Sequence, residues 1–123
     1  MYECTLPIMQ QLILAYVLII INAIIFGGIL NILIKSLFDC FPLNIKKYLY
    51  RPNNSNLIGF PSGHGQIMGV LLGQTIKYKL YPLTLITTLL NIYVWYDRIN
   101  SMKHTTIQYI AGNLIGLCIG LII

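Results

Sequence analysis

The sequence predicts an all-α, polytopic membrane bundle of about four helices, on three observations. Hydrophobic residues make up 57% of the 123 positions and charged residues only 9%, at a mean hydropathy of +0.75. A water-soluble domain carries roughly a quarter charged residues, so this chain lacks the means to cover a water-facing surface. The stretch LILAYVLIIINAIIFGGILNILI, residues 12–34, holds no charge and exceeds the ~20 residues that cross a hydrocarbon core. Further apolar stretches then recur to the C-terminus, separated by prolines, lysines and aromatic residues.

The elements follow in order within a single membrane-embedded domain, residues 1–123. Lys35 closes the first span. Residues 35–61 are mixed, and Pro42, Pro52 and Pro61 break any long helix there. A second span runs over residues 62–76 and closes at Lys77, Tyr78 and Lys79. Pro82 opens a third, residues 82–96, and the fourth covers residues 105–123. The middle two are short for a full crossing. Tyr48, Tyr50, Tyr93, Trp95 and Tyr96 mark one interface, and Tyr78 and Tyr81 the other. No cleavable leader is expected, since residues 1–11 lack a basic start.

Four spans place the loop 35–61, the start of the second helix and the loop 97–104 on one side. Arg51, Ser62, His64, Arg98 and His104 then share a face. The net charge of +5 is spread too thinly for nucleic acid and suits anionic headgroups or phosphorylated substrates. Cys4, Cys40 and Cys118 have no paired spacing and read as apolar fillers or free thiols.

The octet GFPSGHGQ, residues 59–66, is the most chemically suggestive stretch. Ser62 is a good N-cap, free amides at a helix start attract anions, and Gly63 lets the backbone come close to one. His64 would hang over a bound anion, or else face water as an ordinary loop residue. His104 and Gln108 are one helical turn apart, so a Gln108 oxygen could orient the imidazole. The competing reading makes Gln108 a buried polar residue that bonds a neighbouring helix. Gly65, Gly69 and Gly73 in the second helix, and Gly112, Gly116 and Gly120 in the fourth, form two small-residue faces. Packing through those faces would draw His64 and His104 together.

These residues carry a resemblance. Arg51-Pro52, Pro61-Ser62-Gly63-His64, and Arg98 with five residues before His104 resemble the three-part signature of type 2 phosphatidic acid phosphatases, the lipid phosphate phosphatase superfamily. The match covers about residues 31–123, and His104-Thr105 followed by Gln108 looks most like the dolichyl-diphosphatase branch. The resemblance implies a lipid phosphate or polyprenyl diphosphate as substrate and His104 as nucleophile, forming a phosphohistidine, with His64 as acid and then base. Arg51, Arg98, Ser62 and Gly63 would hold phosphoryl oxygens. It implies no cofactor and no metal, and Glu3, Asp39 and Asp97 lie too far apart in sequence to suggest a metal cluster.

Four features depart from the family pattern. Asp97 stands where a serine is usual before the arginine, and Gln108 where an aspartate stands behind the histidine. Asn44 occupies the position of the first-motif lysine, leaving Lys46, Lys47 or Lys35 to substitute. Two spans are missing from the usual six, which makes a homo-oligomer or a partner membrane subunit an expectation. A catalytically silent phosphate-lipid binder, or a structural membrane protein, is the alternative those departures favour. A phosphotransferase would use the same residues as the phosphatase. Sidedness is open: Lys35, Lys46, Lys47, Arg51, Arg98 and Lys103 against Lys77 and Lys79 argue for a cytoplasmic site. The resemblance argues for a lumenal site in an endoplasmic-reticulum-type membrane, which the glycosylation sequon at Asn53 would report. The abundance of Ile, Asn, Lys and Tyr points to an AT-rich genome, that of a large DNA virus or a parasite, and so to a viral membrane as the other expectation.

Overall fold

The computed structural model describes residues 7–52 and 57–123. The sequon at Asn53 and the residues Glu3 and Cys4 lie outside them. Among the described residues the fold is all-helical, with one isolated antiparallel bridge between Tyr50 and Ile58. Helix α1 (Ile8–Ala23), a π-helical stretch (Ile24–Ile29) and α2 (Leu30–Phe38) run on as one unbroken helix, Ile8–Phe38. That helix is long and apolar enough to cross a membrane. Lys35 does not end it. A lysine closes an apolar run, but it is a good helix former, and the helix goes on to Phe38.

After Pro42 the chain makes a short helix α3 (Leu43–Lys46) and a 3-10 turn (Lys47–Leu49). Helix α4 (Gly63–Lys77) starts at Ser62, whose hydroxyl accepts the Gly65 amide at 3.1 Å. Helix α5 (Tyr81–Asn100) takes Pro82 in its first turn, where a missing N–H costs nothing. Helix α6 (Thr106–Ile122) is a shorter apolar helix opened by a capping box between Thr105 and Gln108. The four predicted segments thus correspond to four observed helices, each within a few residues at its ends except the first, which is longer.

The glycine faces do pack on each other. A Cβ at Gly65 would sit 2.7 Å from the Tyr109 carbonyl, and one at Gly73 would sit 2.7 Å from that of Leu117. Between them, Gly69 faces the Asn113 carbonyl. From the other helix, Gly112, Gly116 and Gly120 face the carbonyls of Ser62, Gln66 and Val70. Both sequences of contacts rise together in steps of four. Helices α4 and α6 are therefore parallel, in backbone contact, and start at the same end of the bundle. The first helix runs against α4, since Asn22 bonds Gln74 while Asn31 bonds Gln66 and the Pro61 carbonyl. Helix α5 runs against α6, with Asn91 bonded to Tyr109 and Asn113.

Polarity is arranged inside out. Gln66, Gln74, Thr75 and Thr87 are fully buried, while Ile13, Ile32, Leu85, Leu89, Ile107 and Leu114 are all more than half exposed. The buried amides are satisfied by one another or by backbone carbonyls, as burial of polar groups requires. Gln66 donates to the Phe26 carbonyl of the π stretch at 3.0 Å and accepts from Asn31 at 3.0 Å. The apolar core is correspondingly small, centred on Ile19, Ala23, Met68, Val70 and Leu71.

Candidate active site

The parallel start of α4 and α6 brings the two histidines to one end of the bundle. His104 is buried in the turn before α6, and its charge neighbours are Lys35, Arg51 and His64. His64 is exposed on the first turn of α4, within electrostatic reach of Arg98, Lys35, Asp97 and Arg51. His64 thus has His104 and three cations, from five segments of the chain in all, within electrostatic reach.

His104 takes its orientation from a backbone carbonyl. Its Nδ1 lies 2.9 Å from the Gly59 oxygen. A carbonyl only accepts, so Nδ1 carries the proton and donates it, and Nε2 keeps its lone pair. Burial pushes this imidazole down to about 4; the Gly59 hydrogen bond opposes that, and Lys35, Arg51 and His64 add to it. Gly59 itself is fixed by its amide, which donates to the Leu49 carbonyl at 2.6 Å. It is a functional position that the sequence reading passed over, although it opens the GFPSGHGQ octet. A Cβ there would meet Gln108 Oε1 at 2.8 Å and Arg51 Cγ at 3.0 Å, so a side chain at this position would push Gln108 and Arg51 from their places.

Gln108 does not orient His104. Its Oε1 accepts the Thr105 amide at 3.0 Å and its Nε2 donates to the Tyr50 carbonyl at 2.9 Å. The side chain is taken up by two backbone groups, the cap of its own helix and the loop before Arg51. Gln108 is therefore a structural amide, though it bonds a loop and not the neighbouring helix that the competing reading expected. Its effect on the site is indirect, because Tyr50 precedes Arg51 and the bond pins the loop that presents the guanidinium. The Arg51 amide donates to the Leu57 carbonyl at 3.0 Å, closing that loop. Arg51 Nε is buried with no hydrogen-bond partner among the described residues.

The candidate phosphate ligands divide. Lys35 and Arg51 line a common groove of about 360 Å³ with Asp39. Lys46 instead pairs with Asp39 at 3.1 Å, and Lys47 lies over the Tyr48 ring at 5.2 Å. Of the three lysines left open by the sequence, Lys35 is the one at the histidines; the α3 turn directs the other two to their own neighbours. Ser62 is fully buried and its hydroxyl serves the α4 cap, so the anion-binding potential there rests with the first-turn amides. Gly63 is half-buried beside Asn31, whose Oδ1 would lie 3.1 Å from an added Cβ. Asn31, a buried residue unnoticed in the sequence, holds the Pro61 carbonyl at 3.1 Å and so fixes the approach to Ser62.

Arg98 is engaged by its neighbour. Its Nη2 and Nε reach the same Asp97 oxygen at 2.7 and 3.2 Å. The Asp97 carboxylate is thus paired with its own neighbour, which engages two of the three Arg98 nitrogens. No protein-family model, no curated protein and no solved structure matches the chain.

Proposed function

We propose that this chain is a multi-pass membrane phosphatase that hydrolyses a lipid phosphate or a polyprenyl diphosphate, as the resemblance to type 2 phosphatidic acid phosphatases implies. The inside-out polarity and the Ile8–Phe38 helix support a bilayer as its solvent. The observation that carries the reading is His104, buried, held by the Gly59 carbonyl and surrounded by cations. A neutral imidazole with Nε2 free is a nucleophile in the right protonation state.

In the proposed reaction Nε2 of His104 attacks phosphorus and the bond to the leaving oxygen breaks. His64, exposed at the mouth of the site, donates the proton that the leaving oxygen takes. The Nδ1 proton stays on the Gly59 hydrogen bond while the imidazole carries the phosphoryl group. Water deprotonated by His64 then attacks phosphorus and releases His104. Arg51, Lys35, Arg98 and the first-turn amides of α4 offset the charge on the phosphoryl oxygens. Purified protein in EDTA is expected to release inorganic phosphate from at least one member of a panel of phosphatidate and polyprenyl diphosphates. His104→Ala should lower that release by at least three orders of magnitude; near-full activity in this variant rejects the mechanism.

One observation favours a second reading, a silent phosphate-lipid binder. Asp97 occupies two of the Arg98 nitrogens, which weakens the transition-state clamp without abolishing anion binding. Saturable binding of a lipid phosphate with no release across the panel is its signature.

A further inference from the structure

Two acidic side chains stand among the described residues, and their ion pairs are of different kinds. Asp39, at the end of the first helix, takes Lys46 of α3 at 3.1 Å, so that pair ties two elements together. Asp97 takes Arg98, the next residue in the chain, with Nη2 and Nε on its Oδ2 at 2.7 and 3.2 Å. A bond between chain neighbours holds no two elements together. Its effect falls on Arg98 itself, two of whose nitrogens it occupies.

The pair is formed against local preference. Asp97 lies in the last turn of α5, where the negative end of the helix dipole opposes a carboxylate. Adjacent residues on a helix do not face each other, so the contact requires Arg98 to fold back toward Asp97. The backbone beneath is fixed: the Asp97 carbonyl accepts the Ser101 amide at 3.0 Å, and the Arg98 carbonyl accepts that of Lys103 at 3.1 Å. The side chains remain partly open, at 46% for Asp97 and 22% for Arg98. An ion pair so placed is screened and weak, and a change of partner needs only side-chain rotation.

The same two residues lie within electrostatic reach of His64, together with Lys35, Arg51 and His104. Asp97 is the one acid among these neighbours. A phosphoryl group bound beside His64 draws on Lys35 and Arg51 as well as Arg98. It also offers several charged oxygens, where Asp97 engages Arg98 through one. The phosphoryl group is therefore the stronger acceptor, and the carboxylate is the weaker one that it displaces.

We propose that Asp97 is a positioning residue that competes with a phosphoryl group for Arg98, so that the ligand enters by exchanging one ion pair for another. The inference rests on the proposed function in placing a phosphoryl group beside His64, but it needs no turnover. In a phosphatase the same exchange runs backwards after hydrolysis. Return of Arg98 to Asp97 then lowers the affinity for product phosphate and speeds its departure.

The test is a double-mutant cycle on the whole chain in dodecyl maltoside, read by calorimetric titration. The ligands are inorganic phosphate and hexylphosphonate, whose P–C bond resists hydrolysis. Asp97→Asn should tighten binding about tenfold, by removing a competing partner and a like charge. Arg98→Gln should weaken binding about twofold in wild type but roughly tenfold or more in the Asp97→Asn background, and that inequality is the signature of exchange. Asp97→Ser, which carries no amide, should reproduce Asp97→Asn. Coupling with both ligands assigns the exchange to the phosphoryl head alone, and coupling with hexylphosphonate only assigns it to a lipid-borne phosphate; either supports it. An equal cost of Arg98→Gln in the two backgrounds overturns it, as does failure of both ligands to bind Asp97→Asn. Phosphate release from the lipid panel with an equal-cost cycle would sink the exchange and keep the phosphatase; an unequal cycle without release would do the reverse.

Discussion

At the scale of single residues, the chemistry turns on how His104 and Gln108 divide the available partners. His104 has the Gly59 carbonyl, which fixes its tautomer without adding charge. Burial holds its folded value at about 4, below the ordinary ~6.5 of an unfolded histidine. The unfolded chain therefore binds this proton more readily between pH ~4 and ~6.5. Stability from this residue is complete above ~6.5 and is lost as pH falls to ~4, by at most about 3 kcal/mol. The thermal midpoint in detergent should thus drop over that window for wild type and drop less for His104→Asn, and the His104 imidazole should stay unprotonated down to about pH 5. Gln108 gives a different test. Gln108→Glu keeps the acceptor for the Thr105 amide but sets an oxygen against the Tyr50 carbonyl. It should cost about 1–3 kcal/mol and raise KM through the displaced Arg51 loop, with kcat changed less. Gln108→Asp should lower activity for the same reason, its shorter arm giving up the Tyr50 bond. That the two histidines and Arg98 share an end was legible from the order of the apolar segments, because alternating helices bring every second connection back to the same end. The partner of Gln108 was not, since the choice between an imidazole and a carbonyl depends on where residues 49–59 run. The choice of Lys35 over Lys46 and Lys47 depends on the same loop.

At the scale of the element, glycine spacing made the α4–α6 contact readable, because a repeat of four lines one face of any helix. The Gly27-Gly28 pair in the first helix was not readable in that way. It lies within the π stretch, and the two glycines face different surroundings. A Cβ at Gly27 would meet Ile67 Cα at 2.6 Å, whereas one at Gly28 meets only Ile67 Cδ1, at 3.7 Å. Gly27→Ala should therefore force the first helix off α4 and cost about 1–3 kcal/mol, the usual range for overpacking. Gly28→Ala should be neutral within about 0.5 kcal/mol, or slightly stabilising, as alanine is the better helix former. Thermal midpoints of the two variants, measured side by side, check the contrast. A shift of equal size in both would mean that the close approach of the first helix to α4 is not what places Asn31 beside Pro61 and Gln66.

At the scale of the whole molecule, the direction of each helix assigns every charged residue to an end. The end that holds the histidines carries Lys35, Lys46, Lys47, Arg51, Arg98 and Lys103 with Asp39 and Asp97, and the opposite end carries Lys77, the last residue of α4, and Lys79 just after it. This follows from α4 and α6 being parallel with α5 and the first helix opposed to them, and it requires no membrane to be present. If the bundle crosses a bilayer as proposed, these ends face different compartments. The test uses a background with Cys4, Cys40 and Cys118 replaced by Ala, into which Lys103→Cys or Lys79→Cys is introduced. Reconstituted in sealed vesicles of uniform orientation, one variant should react with an impermeant maleimide from outside and the other only after the vesicles are opened. The pattern should invert between the two positions whichever way the protein inserts. Labelling of both from the same side would mean that α5 lies along the surface instead of crossing. The apolar outer faces of Leu85 and Leu89, each more than half exposed, would then need a protein partner in place of lipid.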